Sequence, residues 1–157
     1  MLKPWMIIGA VTLLVALGGL FIRPKDIPWA KHLDRPNWLF FEPAIPFIWT
    51  VIYTCGAISA LFVWQADPGS VKTWLLMGLY LLIEIVTTAY IPATLRSRSL
   101  GVGKVVGASG SVLGILLFFL VLPINQSAAF FLLPYLIWSP IGTYATEQMI
   151  ELNPREV

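Results

Sequence analysis

Thr73-Trp-Leu-Leu-Met-Gly-Leu-Tyr80-Leu-Leu-Ile-Glu84-Ile-Val-Thr-Thr-Ala-Tyr90-Ile-Pro-Ala-Thr-Leu95 carries a single charged side chain, Glu84, in a run as long as a bilayer's hydrocarbon is thick. A helix needs about 20 mostly apolar residues to cross that layer. Four further runs of the same character surround it, at about 5–22, 44–64, 102–122 and 128–150. Together they leave almost none of the 157 residues for a water-soluble domain. The sequence therefore predicts an all-α membrane protein. Its single domain, residues 1–157, is a bundle of five transmembrane helices with a long first loop.

Composition points the same way. The chain is 58% hydrophobic and 11% charged, with a mean hydropathy of +0.82, whereas soluble domains carry roughly 25% charged residues. A net charge of +2, scattered through loops, argues against nucleic acid as a partner and leaves the lipid bilayer as the expected surroundings. Cys55 is the one cysteine, so no disulfide framework forms within the chain. Lys3 precedes the first apolar run as in a signal peptide. That run of about 18 residues is too long for a signal core, however, and no small-residue cleavage pattern follows, so a retained helix is expected.

The connections 65–72, 96–101 and 123–127 are short, which makes sequential helices antiparallel neighbours. Only the first loop, about 20 residues, is long enough for structure of its own. Arg23, Lys25, Lys31, Arg35, Arg96, Arg98, Lys104 and Arg155 fall on the face of that loop and the C-terminus, against Lys3 and Lys72 on the other. Basic residues concentrate on the cytoplasmic side of membranes, so the N-terminus is expected outside and the C-terminus inside. No internal repeat is visible, and five spans do not divide into equal halves, which counts against an inverted-repeat transporter.

Tyr80, Glu84, Thr87, Thr88 and Ile91 recur at helical spacing and form a mostly polar stripe on the third span. A carboxyl at that depth either bonds a neighbouring helix as structural glue or serves a ligand or proton site. Gly103, Gly107, Gly110 and Gly114 repeat every three to four residues along the fourth span, where small residues let backbones approach, within one chain or between two. Trp5, Trp64 and Trp74 lie near span ends, as an interfacial belt requires. Trp29 and Trp38 lie in the first loop, and Trp49 and Trp138 within spans, where indole suits either ordinary packing or a flat ligand. Pro134 and Pro140 are expected to interrupt the fifth span beside Trp138. His32 has no metal-ligand partner at a useful spacing, and the HExxH, GxSxG, CxxCH and phosphate-loop patterns are missing, which disfavours conventional hydrolysis.

The order Trp29, Leu33-x-x-Pro36-x-Trp38, Trp49-x-x-x-Tyr53-x-x-Gly56 and Leu133-Pro134-Tyr135-Leu136-x-Trp138 resembles the TspO/MBR family of tryptophan-rich sensory and translocator proteins over nearly the whole chain. The resemblance implies a five-helix protein, often a homodimer. It also implies a cavity between the first, second, third and fifth helices that takes porphyrins such as protoporphyrin or haem, sterol-like molecules or flat synthetic ligands, with no cofactor required. By position, Trp38, Trp49, Tyr53, Glu84, Thr87, Tyr90, Trp138 and Gly142 are its candidate ligand-binding residues. Trp29, Lys31 and Arg35 belong to the lid, the two basic residues being placed to meet ligand carboxylates.

This chain departs from the family pattern in three places. Leu39-Phe40-Phe41 follows Trp38 where paired prolines are usual, with Pro43 and Pro46 nearby. Thr87 and Tyr90 stand where an asparagine and then a tryptophan or phenylalanine are usual, and no basic residue follows Tyr144 closely enough for a sterol-type pattern. The expected function is a porphyrin-binding membrane receptor with a sensory or stress-regulatory role. Two alternatives are a small proton-coupled exporter using Glu84 and a porphyrin-modifying enzyme using Trp49 and Trp138 as electron donors.

Overall fold

Pro4, with its fixed φ and missing N–H, is suited to a helix's first turn, and α1 (Pro4–Gly18) begins there. It ends at the Gly18-Gly19 pair, where the Gly19 N–H turns back to the Ala16 carbonyl at 3.2 Å. The apolar run to residue 22 therefore overstates this helix, because hydropathy is blind to a backbone that stops at glycine. The computed structural model describes residues 1–157 and contains no strand. Four of its helical stretches are long and apolar enough to cross a membrane, whereas α1 has 15 residues. At 1.5 Å per residue α1 is roughly 22 Å long, short of the hydrocarbon's ~30 Å.

The first loop contains α2 (Ile27–Lys31) and three single 3₁₀ turns. After it come α3 (Ile45–Ala66), α4 (Val71–Ser97) and α5 (Leu100–Val121). Ser70 and Ser99 accept the Thr73 and Val102 N–H groups, capping α4 and α5 within short loops. The expected fifth span is two helices, α6 (Gln126–Phe131) and α7 (Leu133–Leu152), with Leu132 between them. Pro134 stands in the first turn of α7, and Pro140 lies inside α7 without ending it. The interruption thus comes from one of the two prolines expected to cause it.

Helix α1 packs on α3 and α4, α4 on α5, α5 on α7, and α3 on α6. The main core is a cluster of 12 buried side chains from α3 to α7, among them Val63, Leu117, Val121 and Tyr80. At its centre Ser59 Oγ donates to the Ala128 carbonyl at 2.6 Å and shares a 2.6 Å hydrogen bond with the Tyr80 hydroxyl. A separate cluster of four, Trp29, Leu33, Leu95 and Leu100, lies under the first loop. Leu13, Leu75, Phe119 and Ile137 are each at least 60% exposed on the outer surface, the distribution expected where lipid replaces water.

The first loop, the α4–α5 turn and the segment after α7 meet at one end of the bundle. Asp26, only 1% exposed, receives Arg23 Nε at 2.6 Å and Arg98 Nη2 at 3.5 Å. Burial opposes ionisation there, but the Arg23 hydrogen bond and the two guanidinium charges outweigh it and hold the carboxyl below its ordinary range. Arg98 reaches Asp26 from a left-handed backbone, φ 50°, that closes α4. This is the end carrying the expected majority of basic residues.

Candidate functional site

Four of the glycines of α5 are too crowded for side chains. A Cβ on Gly103 would lie 2.5 Å from Thr94 Oγ1, on Gly107 2.8 Å from Thr143 Oγ1, on Gly110 2.6 Å from the Tyr135 hydroxyl, and on Gly114 2.5 Å from Tyr135 Cε1. This row is therefore occupied within the chain by α4 and α7. The close approach frames a cavity of about 360 Å³ beneath the first loop, with 20 of its 32 lining residues hydrophobic. Ligand sites commonly span roughly 300–1,000 Å³ and are mostly apolar, with a few placed polar groups. This one has that character. Val106, Gly107 and Gly110 of α5 line it alongside α1, α3, α4 and α7, so the fourth span contributes a wall that the sequence did not suggest.

Trp38, Trp49, Tyr53, Thr87, Tyr90, Trp138 and Gly142 all line this cavity, as do Trp29 and Arg35 of the loop. On α3, Trp49 and Tyr53 are one turn apart with ring centres at 6.1 Å. The Tyr53 hydroxyl shares a 2.6 Å hydrogen bond with Thr88, Thr87 one of 3.1 Å with Tyr135, and Tyr90 pairs with the Thr146 hydroxyl. Trp38 stacks on Tyr144 at 6.1 Å and 20°, and its indole N–H donates to the Gln148 side-chain carbonyl. Phe41 bridges the loop to the wall, 6.2 Å from Trp38 and 6.1 Å edge-on to Trp138. It stands where relatives' paired prolines were expected, so an aromatic side chain now fills the loop's re-entry into α3.

Two candidates stand apart from the cavity lining. Lys31 is exposed on α2. Glu84 lies beside a second, smaller cavity of about 40 Å³, and its Oε1 accepts a hydrogen bond from the Thr12 hydroxyl of α1 at 2.8 Å. Arg35 is already engaged: Nε meets the Glu42 carboxylate at 2.8 Å, while the other guanidinium nitrogens donate to the Leu33 and Ala30 carbonyls at 2.9 and 3.1 Å. A ligand carboxylate at this mouth would compete with Glu42.

Sequence reasoning did not single out Tyr135, Thr143 or Thr146 as wall residues, nor Gln148 and Glu42 as partners of the loop. Tyr135, Trp138, Gly142 and Thr146 recur at i, i+3, i+7 and i+11, so helical periodicity around Trp138 held the signal for two of them. The pairing of Trp38 with Gln148, 110 residues apart, had no local signal.

The lining can stack a planar ring between aromatic walls and offer it hydroxyl groups that now satisfy one another. Apolar helices enclosing such a cavity define a small multi-pass membrane protein. The chain belongs to the TspO/MBR family, whose match spans residues 6–152. It is 23% identical over 154 residues to "Uncharacterized membrane protein YtaB" of Bacillus subtilis, covering 94% of this chain and 97% of that protein. It is 25% identical over 130 residues to "Tryptophan-rich protein TspO" of Bacillus cereus, with 83% and 84% covered.

Proposed function

We propose that this protein is a membrane receptor for a flat, largely apolar ligand of the porphyrin type, bound in the cavity beneath the first loop. The observation that carries this reading is the aromatic enclosure itself. Trp38 and Trp138, joined through Phe41 behind them, form one arc and Trp49 with Tyr53 another, and these four rings border a cavity whose charged side chains, Arg35 and Glu42, pair at its mouth. A macrocycle's faces would meet indole and phenol rings, while its polar edge would exchange Glu42 for its own carboxylate on Arg35. A sensory role accords with kinship to a protein named tryptophan-rich protein TspO. The basic end, with the loop, would face the cytoplasm.

Titrating the purified protein with protoporphyrin while following tryptophan fluorescence tests the proposal. Saturable quenching is expected, weakened by Trp138→Ala. Quenching that never saturates, or that is identical in this variant, would remove the cavity as the site.

A further inference from the structure

Besides its contacts with α4 and α7, the first loop is tied down over the cavity by the segment that follows α7. Asn153 pairs with Asp34 in both directions: the Asp34 N–H donates to Oδ1 at 2.9 Å, and Nδ2 donates to the Asp34 carbonyl at 2.9 Å. Three residues on, Glu156 Oε2 accepts the Trp29 indole N–H at 2.6 Å, and Oε1 stands 3.9 Å from His32 Nε2. Glu156 is itself anchored, its backbone carbonyl accepting the Leu100 N–H at 2.8 Å. The segment is thus strung between the loop and the start of α5.

These ties act on cavity residues. Trp29 and Leu33, which line the cavity, lie within the stretch they hold, and Arg35, also in the lining, directly follows it. The Asn153–Asp34 bonds are exposed, so water can replace them at little cost. Trp29 and Leu33 bury their apolar surface in the four-residue cluster with Leu95 and Leu100, apart from the 12-residue core. Lifting residues 29–35 therefore uncovers this small cluster and leaves the 12-residue core packed.

Resting on the proposed use of this cavity as a ligand site, we propose that residues 153–156 form a latch. Asn153 and Glu156 hold the loop closed, and their release opens the mouth through which ligand exchanges. The latch sets how fast ligand enters and leaves more than how tightly it binds.

Hydrogen–deuterium exchange of residues 27–41 in the ligand-free, detergent-solubilised protein reads the latch without any ligand. Asn153→Ala combined with Glu156→Ala is expected to speed exchange there about tenfold, since each lost bond is worth roughly a factor of two to ten. Exchange in α4 should stay at the wild-type rate. Trp29→Phe, which keeps a ring in the cluster but loses the indole donor, should show a smaller rise. Loop exchange unchanged in both variants would overturn the latch.

Stopped-flow quenching by protoporphyrin then tests the gating. Association and dissociation are both expected to quicken several-fold in the double variant, with Kd moving less. A freer loop with unaltered ligand rates would overturn the gating. Failure of the wild type to bind protoporphyrin would count against the ligand assignment alone, leaving loop exchange to decide the latch.

Discussion

Gly114→Ala places a methyl group where α5 and α7 leave no room for one. Its carbon would lie 2.5 Å from Cε1 and 2.8 Å from Cδ1 of Tyr135, and 3.4 Å from Leu136 Cδ2. The ring cannot simply swing aside, because Tyr135 is buried and its hydroxyl bonds Thr87 at 3.1 Å. Overpacking of this kind costs about 1–3 kcal/mol. Loss of the Thr87 bond adds about 1 kcal/mol, and alanine's better helix propensity offsets about 1 kcal/mol. The expected net destabilisation is about 1–3 kcal/mol. Gly78→Ala on α4 isolates the propensity term, since nothing lies within 4 Å of a Cβ there. That variant should be unchanged or up to about 1 kcal/mol more stable. Unfolding by SDS titration from mixed micelles, followed by circular dichroism, measures both. Tyr135→Leu removes the clashing ring, so the Gly114→Ala/Tyr135→Leu pair should be less destabilised than the sum of its parts. Equal stability of the two glycine variants, or strict additivity in the pair, would refute the argument.

Trp49→Ala and Trp138→Ala should each weaken porphyrin binding by about 1–3 kcal/mol in fluorescence titrations and be non-additive together. Trp74→Ala, whose ring packs edge-on against Trp64 at 5.0 Å, should leave affinity alone. Glu84→Leu leaves the Thr12 hydroxyl without its acceptor and should cost about 1 kcal/mol in the SDS assay, whereas Glu84→Gln keeps an acceptor oxygen. A changed porphyrin affinity in Glu84→Gln would instead bring that carboxyl within the ligand's reach. Asp26, held below its ordinary range, contributes stability above the unfolded carboxylate value near pH 4, and this is lost as pH falls through the lower folded value. Acid melts of Asp26→Asn should lack that component. A reporter fused after Val157 should be active in the cytoplasm, and external activity would reverse the orientation.

The long apolar runs fixed α3, α4 and α5 to within a few residues, because each needs only length and hydropathy. The end of α1 was hidden by the same measure, since Gly18 and Gly19 are apolar yet stop the helix with backbone turns. Nine of the 32 residues lining the cavity were named from the sequence, through the tryptophan positions, the third-span stripe and the family resemblance. Glycines have no side chain to suggest that they line anything, so the α5 wall was not. Arg35 looked available to a ligand because Glu42, seven residues on, becomes its partner only when the loop folds back. The contacts of Trp29 with Glu156 and Trp38 with Gln148 join residues 127 and 110 apart, which only the assembled helices bring together.

The glycine row on α5 works as a gauge for the cavity. Gly107, Gly110 and Gly114 fix how near α7 can stand, and α7 carries Trp138, Gly142 and Thr146 into the wall. Gly114 borders the smaller cavity, not the larger. A single added methyl there would push Tyr135 and its helix outward and widen the cavity, with every residue that lines it keeping its identity. If the cavity is used as proposed, the size of ligand it admits would be adjustable from Gly114, which borders only the smaller cavity, so chains with identical aromatic walls need not accept the same molecule.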